Sequence, residues 1–176
     1  MGSGVKEISF YAFNRSEFQG TLKIGENVTT IEKGAFKQCK FTGDLIIPDN
    51  VELIKEEAFH STNFTGNLQI GNGIEDIPEK AFQNCNTQGT LTIGNGVRTI
   101  GNYAFYGSNF QGSFTMGKNV TSIGTSAFEN CGCTQELIIS ENVTQSAYVL
   151  LPIVNSHQKS LLLVCNPVHN SLFQIK

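Results

Sequence analysis

The sequence predicts a mainly β repeat solenoid: a stack of 23-residue coils, each with a short strand and a helical-turn corner. Three observations carry that expectation. Residues 27–36 read NVTTIEKGAF and residues 119–128 read NVTSIGTSAF, 92 positions or four units of 23 apart. Units beginning at Gly20, Gly43, Gly66, Gly89, Gly112 and Gln135 repeat the same apolar columns. The 18 glycines and a charged fraction of 15% suit many turns better than long solvated helices.

Each part of the unit has a local reason. The third and fifth columns hold Leu22 and Ile24, Leu45 and Ile47, Leu68 and Ile70, Leu91 and Ile93, Phe114 and Met116, then Leu137 and Ile139. Apolar and polar residues alternate there, as in a short strand with one buried face. A turn rich in Gly, Asn, Asp and Pro follows (GEN, PDN, GNG, GNG, GKN), because Gly and Asn tolerate positive φ and Pro presets the other angle. Val28 and Ile31, three apart, open the next stretch, and their columns recur. Ala-Phe closes it five times, from Ala35-Phe36 to Ala127-Phe128, and reads as a helical turn or irregular corner pointing inward. Val5, Ile8, Ala12, Phe13 and Phe18 extend the register backwards into a truncated first unit. One such unit cannot bury its own apolar face, so stacking must supply the core.

The spacing Leu-x-Ile, Val-x-x-Ile, Ala-Phe-x-x-Cys resembles the BspA-like leucine-rich-repeat surface proteins, best in residues 22–39 (LKIGENVTTIEKGAFKQC) and 91–108 (LTIGNGVRTIGNYAFYGS). The resemblance covers residues 5–144. It implies a right-handed leucine-rich-repeat-type solenoid with a strand on the concave side. It also implies a surface or secreted protein that binds extracellular-matrix or other proteins in adhesion; the chain itself shows no signal peptide.

Residues 1–4 read as a leader or a cut end, 5–144 as the solenoid and 145–176 as a divergent C-terminal cap. After Thr144 the pattern fails: Ser146, Leu150 and Leu151 stand where Ile, Ala and Phe are due. In the cap reading SLLLV is a last strand, with Leu161 and Leu163 nearly in register, 24 residues after Leu137 and Ile139. The alternative is the start of a different domain.

The chemistry on offer is thin. Cys39, Cys85 and Cys131 share the twentieth column with Thr62 and Ser108, two units apart each time. Two coils separate them by roughly 9.5 Å, too far for a disulfide, so they read as buried free thiols. Cys133 falls in the apolar column of Phe41, Phe64 and Phe110. Cys165, His157 and His169 on the tail make a weak metal or nucleophile set. His60 sits in a variable column and reads as exposed. The glycines form no phosphate cradle. The chain is therefore expected to be non-catalytic, with no cofactor and no metal. A net charge of −3 without a Lys/Arg run gives no pull toward nucleic acid. No apolar run reaches the roughly 18–20 residues of a membrane span. The Asn-x-Ser/Thr triplets at Asn14, Asn27, Asn63, Asn119 and Asn142 read as turn chemistry.

A partner protein is expected on the outer strand face, the second and fourth columns. These hold Thr21 and Lys23, Asp44 and Ile46, Asn67 and Gln69, Thr90 and Thr92, Ser113 and Thr115. A flat polar row of this kind suits a protein or extended peptide better than a small ligand. Tyr103 with Tyr106, and the step from a basic unit (20–42) to an acidic one (43–65), are further candidate contacts. The runner-up role is a structural spacer within a larger surface protein.

Overall fold

The computed structural model describes residues 4–132, 136–139, 142–146 and 161–164. Residues 1–3, Cys133, His157, Cys165, His169 and most of the expected cap (145–176) lie outside the described residues.

The chain winds as a mainly β parallel solenoid, and no helix occurs among the described residues. Its strands are β1 (Glu7–Ile8), β2 (Thr30–Ile31), β3 (Leu45–Ile47), β4 (Leu53–Ile54), β5 (Leu68–Ile70), β6 (Asp76–Ile77) and β7 (Leu91–Ile93). There follow β8 (Thr99–Ile100), β9 (Phe114–Thr115), β10 (Ser122–Ile123), β11 (Glu136–Ile139), β12 (Gln145–Ser146) and β13 (Leu161–Val164). One parallel ladder, β3-β5-β7-β9, is the expected alternating strand, with Leu45, Leu68 and Leu91 side by side. The Val-x-x-Ile stretch forms a second parallel ladder, in two runs, β1-β2-β4 and β6-β8-β10-β12. Both ladders keep a register of one 23-residue unit per step. The second runs on into Gln145 and Ser146, past the point where residue types depart from the repeat.

The second ladder is interrupted between β4 and β6, and one of the donors it lacks has a local cause. At other steps the residue after the ladder isoleucine donates its N–H to the isoleucine carbonyl of the preceding coil: Lys55 to Ile31 (2.9 Å), Gly101 to Ile77 (2.7 Å). In the fourth coil that residue is Pro78, which has no N–H.

The predicted columns form one core. Phe36, Phe59, Phe82, Phe105 and Phe128 are buried and stacked, with Phe13 above them. Ring centroids along the column are 5.2–5.4 Å apart and planes differ by 4–11° between Phe36 and Phe128, an offset stack. The first coil is uncovered: Phe18 is 56% exposed, whereas Phe41 and Phe64 in its column are buried.

The corner is a chain of tight turns, not a helical turn. Residues at the fifteenth and nineteenth columns take positive φ whatever their type: Glu57 (58°), Lys80 (57°) and Tyr103 (56°) in one, Gln38 (58°), Ser61 (55°) and Asn84 (55°) in the other. This is the signature of type II turns, closed by Ala35 N–H to Glu32 O (3.1 Å) and Cys39 N–H to Phe36 O (3.3 Å). Alternate N–H groups point instead to the following coil: Phe36 to Ala58 O (2.8 Å), Phe59 to Ala81 O (2.9 Å), Phe82 to Ala104 O (2.9 Å). A left-handed residue with a Cβ costs about 1–2 kcal/mol. The intercoil bonds and the buried Phe between the two positions hold it there.

The twentieth column completes the corner. Cys39, Thr62, Cys85 and Ser108 donate from Sγ or Oγ to the carbonyls of Phe13, Phe36, Phe59 and Phe82, at 2.9, 2.6, 2.9 and 2.6 Å. The column therefore selects a small donor. Cys39, Cys85 and Cys131 are buried and unbridged, as expected. Burial pushes the Cys85 thiol up to about 12, so it stays protonated.

His60 corrects an expectation: it is half-buried, and its Nδ1 is buried without a hydrogen-bond partner. Burial first, and the Lys37 charge second, hold its pKa below the ordinary 6.5. The folded protein thus disfavours the imidazolium.

Three outcomes follow for stability, each read from denaturant melts. Ser61→Gly is expected to stabilise by about 0.5–1 kcal/mol by relieving positive φ, and Ser61→Val to destabilise. Ser108→Ala should cost about 1–3 kcal/mol, because the Phe82 carbonyl keeps only the Cys85 N–H, while Cys85→Ser retains a donor and should be well tolerated. With the folded pKa of His60 depressed, its contribution is complete above the ordinary value and is lost as pH falls below 6.5. Stability should decline from pH 7 to 5.5, and less steeply in His60→Asn.

Candidate functional site

Strand pleating fixes the candidate site. Leu45 and Ile47, Leu68 and Ile70, and Leu91 and Ile93 face the core, so their neighbours face out. Thr21, Lys23, Asp44, Ile46, Asn67, Gln69, Ser113 and Thr115 are exposed, and Thr90 and Thr92 are half-buried. The ladder brings the fourth-column residues together in register, Ile46 beside Gln69 beside Thr92 beside Thr115. Ile46, at 50% exposure, is the one large apolar side chain among them.

The two columns differ in what they are free to do. In the second column, Asp44 Oδ1 accepts the Asn67 N–H (2.7 Å), and Asn67 Oδ1 accepts both the N–H and the hydroxyl of Thr90 (2.9 Å each). These side chains lie along the ladder and serve the backbone of the next coil. In the fourth column no side-chain hydrogen bond occupies Lys23, Gln69, Thr92 or Thr115 among the described residues. The fold therefore leaves the fourth column uncommitted and uses much of the second.

The other sequence candidates are absorbed by the fold. The basic and acidic units face each other across one coil step, where Lys33 pairs with Glu56 (2.8 Å) and Lys37 with Glu57. Lys37 holds the Glu57 carboxyl below its ordinary range, and Glu56 raises Lys33. Much of the alternation in charge is thus consumed internally. Tyr103 and Tyr106 are half-buried, edge to face at 6.0 Å, with Lys80 Nζ 5.9 Å from the Tyr103 ring and Asn130 Nδ2 3.3 Å from the Tyr106 hydroxyl. Asn119 and Asn142 donate their Nδ2 groups to the carbonyls of Asn95 (2.7 Å) and Lys118 (2.8 Å), which is turn chemistry. Among the described residues no group of three or more His, Cys, Asp or Glu could hold a metal ion, and no helix is long and apolar enough to cross a membrane.

Sequence reasoning missed two features outside the outer strand face: the second ladder as a strand, and a shallow groove along it lined by Leu53, Glu75 and Pro78 among others. Pro78, alone in a column otherwise holding Ser9, Glu32, Lys55, Gly101 and Gly124, was the available signal.

Comparison with known proteins agrees with this architecture. The model of the BspA-type leucine-rich-repeat region matches residues 1–89 and 54–149, six copies in all. A solved leucine-rich cell-surface protein of Faecalibacterium prausnitzii A2-165 is similar at 26% identity and a TM-score of 0.57. The match covers 76% of this chain and 32% of that one, so this chain spans about a third of its length. No curated protein matches the chain. With the family's repeat matched from residue 1 to 149 and its columns stacked coil over coil, the chain belongs to the BspA-type leucine-rich-repeat family.

Proposed function

We propose that the chain is a non-catalytic protein-recognition module that works at a cell surface, in adhesion to extracellular-matrix or other surface proteins. The observation that carries this reading is the fourth column of the outer strand face: a registered, solvent-facing row whose side chains are not spent on the fold. Strands about 4.8 Å apart make β3, β5, β7 and β9 a platform roughly 15–20 Å long. That is the scale of a protein epitope or an extended segment, not of a small molecule. The solved neighbour is itself a cell-surface protein, which supports the location.

A spacer role is the second reading, favoured by the second column. Asp44 and Asn67 stitch coil to coil, as a rigid rod requires. Binding of the purified chain to immobilised matrix proteins separates the two. A recognition module is expected to bind, and Ile46→Asp or Thr92→Glu should each weaken binding several-fold or more, with melting temperature as the control for folding. Indifference to both substitutions would leave the spacer.

A further inference from the structure

We propose that a groove on the second ladder, where the third and fourth coils meet, docks a short extended protein segment carrying Lys or Arg beside an apolar residue. The groove lies away from the outer strand face, so it stands or falls independently of the recognition role given above.

The shape is the first argument. The groove is open and shallow, with a volume of about 820 Å³. The second ladder contributes Glu52, Leu53, Glu75 and Asp76, and the corner after it contributes Lys33, Lys55, Glu56 and Pro78. It reaches the first coil at Phe10. A span of four coils at about 4.8 Å per step accommodates roughly four or five extended residues.

The lining is the second argument. Phe10 (63% exposed) and Leu53 (40%) are two of the few large apolar side chains left in water, and both line this groove. An apolar residue of the partner gains by covering them. Around them stand five carboxylates and two lysines. Lys33 is already satisfied by Glu56 at 2.8 Å; of the lining charges without an ion-pair partner among the described residues, Lys55 stands against four carboxylates, Glu32, Glu52, Glu75 and Asp76. The rim therefore repels nucleic acid and anionic lipid and attracts a cation.

The interrupted ladder is the third. At the neighbouring steps the tenth-column carbonyl accepts two N–H groups: Thr29 O from Glu52 (2.9 Å) and Leu53 (3.1 Å), Glu75 O from Arg98 (2.7 Å) and Thr99 (3.2 Å). Glu75 and Asp76 make no such bonds to Glu52 O, and Pro78 cannot make one to Ile54 O. Glu52 lines the groove and is exposed, whereas Ile54, at 2% exposure, is closed to a partner. The unclaimed Glu52 carbonyl thus adds an acceptor to the carboxylates, and the matching partner group is a donor without an acceptor. An ammonium or guanidinium is that group.

The experiment uses the whole chain and a fluorescent Lys-Leu-Lys-Leu-Lys peptide, followed by anisotropy at low and at physiological salt. The native protein should bind it and ignore Glu-Leu-Glu-Leu-Glu. Glu52→Gln with Glu75→Gln should weaken binding on the order of tenfold, and Leu53→Ser several-fold. Glu26→Gln with Glu129→Gln, equal in charge but remote, and Thr92→Glu on the outer strand face should leave it unchanged. Melting curves establish that each variant is folded. Failure of the native chain to bind the basic peptide overturns the proposal. So does equal binding of the acidic peptide, or equal loss in the remote double variant.

Discussion

No coil of this protein has an interior of its own; each acquires one only when the next lies against it. The contact that makes this work is the Phe column with the hydrogen bonds that flank it. Each ring lies parallel to the one in the next coil, its N–H donates to the alanine carbonyl of that coil, and its own carbonyl accepts a small buried donor from it. Apolar burial and polar satisfaction are thus met by the same neighbour at the same position. This explains why Cys, Thr and Ser interchange in the twentieth column while larger or non-donating residues are absent from its described members.

That coupling also explains how the corner tolerates unfavourable backbone. Tyr, Glu, Lys, Gln and Ser all occupy left-handed positions that glycine would fill without strain. The cost is met because reversing φ at either position would withdraw a Phe from the core and break an intercoil bond. Local preference yields to tertiary packing here, and the surface ion pairs between Lys33, Lys37 and their glutamates run across the same coil step without deciding the fold.

The core was legible because identical columns recur; Val28, Ile31 and Phe36 could each be placed inside from spacing alone. The outer strand face was legible from alternation. The second ladder was not, because Val28 and Ile31 are three apart and only two residues per coil pair as strand. The left-handed corner left only a faint trace, Gly34 and Gly107 in one column each and Asn84 and Asn130 beside Gly107 in its column. The tail shows both sides of this. Leu161–Val164 is a strand, as SLLLV suggested, yet it runs antiparallel, so the backbone of Leu163 pairs with that of Leu137 and Leu161 with Ile139. Sequence spacing carries no strand direction once the period is lost. The groove is not legible unit by unit, because Glu52 belongs to one unit and Glu75 and Asp76 to the next.

In the corner the backbone N–H groups around each Phe donate to the next coil while the twentieth-column side chains donate back to the previous one, and this fixed polarity gives the stack a head and a tail. Excising or duplicating any whole number of 23-residue units rejoins a donating edge to an accepting one, and every surviving junction is the kind it was before. Any other increment would set donor against donor or slide Phe off Phe. A gene built this way can gain or lose units by unequal recombination without a folding penalty at the seam. Reach and surface pattern are then free to diverge between lineages while the spine of the molecule stays the same.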